Sequence, residues 1–394
     1  MITPNRHYAE LKDSYLFTHI AERVAAYQAA HPEAHLLRLG IGDVTLPLCD
    51  AVIAALHQAV DDQASPERFQ GYLPECGAPF LRAAIAEHYR SRDVTLTDDE
   101  VFVSSGASDE LGDILDLFDP CSSALVIEPA YPAYVDASII AGRRIVHLPA
   151  SREDGFLPKP SNEAQADLIY LCSPNNPTGA AFNRSQLQQW VDFANAHGSI
   201  ILFDAAYEAF IEDSAFPHSI MELPGARTCA IEICSLSKTA GFTGTRLGYT
   251  VIPQSLVRAG MSLHDMWVRN RTTKTNGVSY VIQRGASAVF TPEGQQQVRE
   301  NLAYYKGNAQ LLMRTLDQTG TWYCGGRNAP YLWVQCPDGM GSWEFFDLLL
   351  GEAQIVGTPG AGFGACGEGY LRFSTFGSHA DTEEAARRLL ALLG

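Results

Sequence analysis

Basic residues are scarce in this chain. Its 394 residues hold 28 Lys and Arg against 45 Asp and Glu, a formal net charge of −17. A chain this acidic repels phosphodiester backbones and anionic lipid surfaces, so neither nucleic acid nor membrane is expected as a partner. No basic helix-turn-helix stretch precedes residue 45, which argues against a DNA-binding regulator. The nine cysteines, at 49, 76, 121, 172, 229, 234, 324, 336 and 366, include no CxxC pair. Their odd number and apolar settings ("LIYLCS", "CAIEICS") predict reduced, buried thiols rather than a disulfide framework. No run approaches the about 18 apolar residues of a membrane span. The opening "MITPNRHYAELKDSYLF" lacks the apolar core of a signal peptide, so a cytoplasmic protein is expected. Repeats and low-complexity tracts are also missing. With 46% hydrophobic and 19% charged residues, the chain has the composition of an ordinary globular protein, long enough for two domains.

What is present is alternation. Seven short apolar runs read as strands: 101–105, 124–128, 144–148, 168–172, 200–204, 230–234 and 248–252. They are rich in Val and Ile, and several are apolar on both faces, as in a sheet covered by helices on both sides. Helical patterns lie between them, notably Asn183 to His197, with Ser185 as a cap and Gly198 as a stop. This alternation predicts an α/β fold with a mostly parallel seven-stranded sheet. After residue 290 the pattern changes. A long helix near 294–317 places Val298, Leu302, Tyr305, Ala309, Leu312 and Leu316 at helical spacing. Short strands and a final helix capped near Thr382 follow, with Ala386, Leu389, Leu390 and Leu393 on one face. These segments predict a smaller α+β domain. The expected division is a large domain over 46–290 and a small one from 1–45 and 291–394. An apolar face of Val52, Ile53, Leu56 and Val60 leads into the large one.

Two phosphate-binding signatures fail on inspection. "SKT" at 237–239 has Ser237 where a P-loop needs glycine. "GFGACG" at 362–367 fits G-x-G-x-x-G, but too little chain follows Gly367 to complete a βαβ unit, so these glycines are expected in turns. A better signal is where polar residues fall. "SSGASDE", "EPAYPAY", "SPNNPTG", "DAAYEAF" and "SLSK" each follow a predicted strand. In an open α/β sheet the carboxyl ends of the strands line the ligand crevice. Taken singly, an Asn-Pro pair is a turn, the tyrosines of "YPAY" are packing, and an Asp after a strand is a helix cap. Five such strand ends together point to one site.

Pyridoxal phosphate (PLP) is the cofactor whose needs these residues meet. It requires an amine to condense with its aldehyde, an acid for its ring nitrogen and a cradle for its phosphate. Lys238 is the only lysine at these strand ends, and Asp204 suits the ring nitrogen. Gly106, Ala107 and Ser108 stand where a helix N-terminus offers N–H groups to phosphate, with Ser235, Ser237 and Arg246 completing the cup. Tyr131 suits stacking on the ring, and Asn176 and Tyr207 suit hydrogen bonds to its phenolic oxygen.

"SPNNPTG", Asp204 with Tyr207, "SLSK" and Arg246 resemble the fold type I PLP aminotransferases. "LGIGDVTLPL", "GYLPECG", "IEICSLSKTAGFTGTRLGYTVIP", "GGRNAPYLWV" and "IVGTPGAGFGACGEGYLRFSTFG" narrow the likeness to one branch, the LL-diaminopimelate aminotransferases, over nearly the whole chain. The resemblance implies a homodimer with shared sites, acting on amino and keto acids by ping-pong transfer between glutamate and tetrahydrodipicolinate. It implies that Lys238, Asp204, Tyr207 and Asn176 are catalytic, and that Tyr72 reaches the neighbour's phosphate. Arg372 would clamp the substrate carboxylate beside Ser108, Tyr131 and Asn176. Tyr15, Gly42, Glu75 and Asn276 would shape the pocket for the distal end, Glu75 and Asn276 from the partner. No metal is implied. The chain departs from the branch where Ser108 replaces a usual lysine, at Leu73 and Cys76, and at Thr275. These changes concern the substrate half of the site; the alternative reading is a related PLP enzyme acting on a different amino acid.

Overall fold

The structure is a computed structural model that describes residues 2–11, 16–40 and 42–394. The seven apolar runs pair into one sheet: β1 (Val101–Ser104), β2 (Ala124–Glu128), β3 (Ile145–Pro149), β4 (Leu168–Cys172), β5 (Ile200–Asp204), β6 (Ala230–Ser235) and β7 (Gly248–Val251). Their order is β1-β7-β6-β5-β4-β2-β3. Neighbours are parallel except at β7, which runs antiparallel to both β1 and β6. The chain therefore has the expected α/β fold with a mostly parallel sheet. Every residue of β4, β5 and β6 is buried, which is why these strands are apolar on both faces. Cys172 pairs with Asp204, and Asp204 with Ile233, so the strands end side by side along one edge.

Helices α1 (Ala107–Asp113), α2 (Pro132–Ile140), α3 (Arg184–His197) and α4 (Leu236–Thr239) start just beyond strands of this sheet. The cap of α3 is Asn183 rather than Ser185. Its side chain accepts from the Gln186 N–H while the Gln186 side chain accepts from the Asn183 N–H, a reciprocal pair open only to the residue before the first turn. Gly198 ends the helix in the left-handed region, at φ +73°.

A second core lies around a four-stranded antiparallel sheet of β8 (Tyr323–Gly325), β9 (Tyr331–Gln335), β10 (Thr358–Pro359) and β11 (Tyr370–Ser374), in the order β8-β9-β11-β10. Leu16, Ile20, Val24, Leu37 and Leu39 from the N-terminal segment pack there against Trp333, Phe345, Leu371 and Phe373. Leu37–Arg38 also pairs in parallel with Ile355–Val356. Each fully buried apolar side chain of this kind contributes about 1.5–3 kcal/mol. Helix α5 (Pro292–Thr319) serves both cores: Val298, Leu302 and Tyr305 pack in the first, Leu312 and Leu316 in the second. The helix that opens at the expected domain boundary is thus a shared beam.

Three expected details differ. The last helix, α6 (His379–Leu393), is capped by Ser378, and Thr382 lies inside it, donating to the Ser378 carbonyl. Its buried face is Ala385, Ala386 and Leu389, while Leu390 is exposed. In Asp50–Gln63 the core side is Val52 and Ala59; Ile53 and Val60 are exposed. All nine cysteines are free, but Cys121 is exposed and Cys76, Cys324 and Cys366 are half-buried. The glycines of "GFGACG" lie in two short turns, Gly360–Phe363 and Ala365–Gly367, just before β11. Among the described residues no helix is long and apolar enough to cross a membrane, and no group of three or more His, Cys, Asp or Glu could hold a metal ion.

Candidate active site

The strand ends converge on one cleft of about 360 Å³. Gly42, Ala107, Ser108, Tyr131, Asn176, Asp204, Tyr207, Ser235, Ser237, Lys238, Arg246 and Arg372 all line it. Tyr72, Glu75 and Asn276 do not, and Tyr15 lies outside the described residues.

Lys238 sits on α4, whose cap is Ser235; the Ser235 hydroxyl accepts from the Ser237 N–H at 3.1 Å. The lysine Nζ donates to the carbonyl of Gly42 and lies 5.9 Å from the Phe376 ring. Burial lowers its pKa to about 8; Asp43 opposes the shift, and Arg372 and Arg246 add to it. An amine so placed is partly neutral near physiological pH, as a nucleophile or proton carrier must be.

One end of the cleft is built for an anion. Gly106 precedes α1 at φ +136°, and a Cβ there would run into Nη2 of Arg246. The missing side chain lets the guanidinium lie against the turn that exposes the N–H groups of Ala107 and Ser108. Arg246 also donates from Nη1 to the Ser237 hydroxyl at 3.2 Å. Among the described residues Arg246 has no ion-pair partner, so this cup holds uncompensated positive charge.

The middle of the cleft carries a buried carboxylate. Asp204 accepts from Tyr134 Oη at 2.6 Å on Oδ2 and from the Ala206 N–H at 3.0 Å on Oδ1. Burial pushes its pKa up against those two hydrogen bonds. No described cation pairs with it. A ring nitrogen carrying a proton would supply the missing charge. Nearby, the Tyr207 and Tyr331 hydroxyls are 2.9 Å apart, and burial raises the pKa of Tyr207 well above its ordinary value.

The far end is a second uncompensated cation. Arg372, in β11, is 1% exposed yet has no carboxylate partner among the described residues. Register pairs it with Trp333 on one side and Thr358 on the other, so the strand fixes its direction. Nη1 donates to Asn176 Oδ1 at 2.6 Å and Nη2 to the Gly40 carbonyl at 2.8 Å. The Tyr331 and Phe363 ring centroids lie 4.4 Å and 5.0 Å from the guanidinium carbon, and among the described residues its Nε has no hydrogen-bond partner. With its oxygen engaged by Arg372, Asn176 keeps its Nδ2 hydrogens for an acceptor in the cleft. Gly42 closes this side: a Cβ would come within 2.6 Å of the Tyr331 hydroxyl.

These features fit PLP: an anion cup, an uncompensated buried carboxylate and a depressed lysine line a single cleft. Sequence reasoning missed Tyr134, Tyr331, Phe17 and Asp43. Tyr134 stands one helical turn after Tyr131 in α2, a spacing that carries it to the same strand end. Tyr331, within "NAPYLWV", had no comparable sign.

Outside the cleft, Tyr72 is 88% exposed, with Phe69, Ile53 and Val60 also exposed. Glu75 and the loop of Asn276 are neighbours: a Cβ on Gly277 would lie 3.4 Å from the Glu75 Cα. Of the residues that depart from the aminotransferase pattern, only Ser108 enters this chain's cleft.

Residues 34–389 match the family described as Aminotransferase class I and II. The chain belongs to that family. It is 48% identical over 405 residues to an LL-diaminopimelate aminotransferase of Lachnospira eligens, covering 100% of both chains. A second such protein, from Lawsonia intracellularis, is 48% identical, covering 99% of this chain and 98% of the relative. The solved L,L-diaminopimelate aminotransferase of Chlamydomonas reinhardtii superposes with a TM-score of 0.94 at 40% identity, covering 100% of this chain and 99% of the other. This family depends on PLP, and PLP is the cofactor of this enzyme.

Proposed function

We propose that the protein is an LL-diaminopimelate aminotransferase. It would move an amino group reversibly between glutamate/2-oxoglutarate and tetrahydrodipicolinate/LL-2,6-diaminopimelate, in lysine and peptidoglycan synthesis. The observation that carries this reading is Arg372, a buried cation with no anionic partner among the described residues, lining the same cleft as Lys238. A substrate α-carboxylate suits that cation, because a planar guanidinium binds a carboxylate bidentately.

PLP, when bound, supplies an aldehyde to take up the amino group and a ring that accepts electrons from the substrate's Cα. The protein's part is placement and proton transfer. Ala107, Ser108, Ser235, Ser237 and Arg246 hold the phosphate. Asp204 keeps the ring nitrogen protonated. Tyr131 lies against the ring, and Asn176 and Tyr207 donate to its phenolic oxygen. The Lys238 amine, with its pKa of about 8, would take the proton from the substrate's Cα onto Nζ, and its ammonium would give that proton back to the same carbon in the reverse direction. Arg372 holds the substrate so that this carbon faces the lysine.

The exposed Ile53, Val60, Phe69 and Tyr72 favour a homodimer, since large apolar side chains left in water this way are usual at interfaces. Tyr72, Glu75 and Asn276 would then complete the partner's site, Tyr72 at the phosphate and the other two, with Tyr15 and Gly42, at the distal end. A cytoplasmic location accords with the free cysteines.

The test is to incubate the enzyme with 2-oxoglutarate and, in parallel, LL-diaminopimelate, meso-diaminopimelate, ornithine or aspartate, and to measure glutamate. The reading requires LL-diaminopimelate to be strongly preferred. Equal or better use of another amino acid assigns a different substrate, with Ser108 the first residue to examine.

A further inference from the structure

We infer that Tyr134 is a positioning residue for Asp204, its hydroxyl holding the carboxylate charged and aimed at the cofactor's ring nitrogen. This rests on the aminotransferase reading and adds to it a residue outside the expected set.

The geometry is specific. Tyr134 lies on the first turn of α2, 3% exposed, and its Oη is 2.6 Å from Oδ2 of Asp204. Its ring is stacked on Tyr170 at 4.9 Å between centroids and 16° between planes. The Ser138 hydroxyl donates to the Tyr134 backbone carbonyl at 2.7 Å. The phenol therefore has little freedom to point elsewhere. Other polar groups facing Asp204 are the Ala206 N–H, the Cys172 thiol from β4 and the Tyr207 hydroxyl. Cys172 donates to the Pro174 carbonyl, and Tyr207 is engaged with Tyr331. No described cation faces the carboxylate, and among the described residues Tyr134 is the one side chain that donates to it.

That single bond matters because desolvation drives Asp204 toward its neutral form. A protonated Asp204 could no longer draw a proton onto the ring nitrogen, and the ring would lose much of its capacity to accept electrons. The bond also fixes the plane of the carboxylate. With Oδ2 taken by Tyr134 and Oδ1 by Ala206, each keeps one lone pair, both in the carboxylate plane.

The test compares wild type, Tyr134→Phe, Asp204→Asn and the double variant. Tyr134→Phe keeps the ring and its stacking and removes only the hydroxyl. Three readouts are used. The first is the ring-nitrogen ¹⁵N resonance of labelled PLP in the loaded enzyme. The second is the split of kcat and KM. The third is an infrared titration of the Asp204 carboxyl in the apo-protein. In Tyr134→Phe the resonance should move toward the unprotonated position. The enzyme's kcat should fall about 10–100-fold with KM for the amino acid little changed, and the Asp204 titration should shift upward. In the Asp204→Asn background Tyr134→Phe should change kcat less than about twofold, because its route of action is gone. An unmoved resonance and titration, or an equal loss of kcat in both backgrounds, overturns the inference; the latter marks Tyr134 as packing only. If the aminotransferase reading itself were wrong, wild type would fail to transfer amino groups while the apo-protein titration still shifted, so the two failures are distinguishable.

Discussion

Arg372, in β11, and Asn176, in the turn beyond β4, stand 196 residues apart, yet their side chains meet at 2.6 Å. The bond ties the turn after β4, in the central sheet, to β11 of the second sheet. Arg372 is held by three acceptors, Asn176, Gly40 and Thr358, before any substrate arrives. Its direction is thereby set in advance, and little entropy is lost on binding.

Arg372→Lys should raise KM for glutamate and for LL-diaminopimelate about 10–100-fold, because an ammonium cannot form the paired bonds of a guanidinium. The cofactor's absorbance should be unchanged. Steady-state kinetics and a resting spectrum check both, and an altered resting spectrum would move Arg372 into the cofactor's surroundings.

Lys238 has a pKa lowered to about 8, so its free-amine fraction in the apo-protein rises through pH 8 and levels off above it. Only the free amine attacks an aldehyde. The rate at which apo-protein takes up PLP should therefore climb with a midpoint near pH 8, well below that of an ordinary lysine. Lys238→Ala should retain no cofactor after borohydride reduction and denaturation, read by peptide mass spectrometry. Its turnover should fall at least about 10²–10⁴-fold, the share typical of a positioned acid–base group.

Gly106→Ala should weaken PLP binding and stability together. Its φ of +136° is one that L side chains rarely adopt, and the added methyl would displace Arg246 from the phosphate cup. A loss of about 1–3 kcal/mol in stability is expected from the strained backbone. Thermal denaturation and equilibrium dialysis with PLP measure the two effects. Loss of stability without loss of affinity would separate Arg246 from the phosphate.

Tyr72 is exposed in the single chain, whereas Lys238 lines the cleft. If Tyr72 completes the neighbour's site, Tyr72→Ala and Lys238→Ala should each impair activity alone. Mixed and re-associated subunits should recover about a quarter of wild-type activity, since half of random dimers are mixed and each mixed dimer has one intact site. Absence of recovery in a demonstrated mixed dimer confines the site to one chain.

The sequence by itself determined the central sheet. Its central strands β4, β5 and β6 are buried on both faces, so each had to be a short, largely apolar run, and the polar residues after them marked the edge where the cleft lies. Lys238, Asp204 and Arg246 were legible for the same reason: charged residues beside buried strands have few structural explanations. Tertiary structure alone decided the rest. The outward turn of Ile53 and Val60 is invisible to helical spacing, which gives a face but not what covers it. The partner of Tyr134 is a carboxylate 70 residues away, and that of Tyr331 a hydroxyl 124 residues away. Such pairings arise when α2 and β9 pack against the ends of β4 and β5, and no local pattern encodes a contact made across that distance.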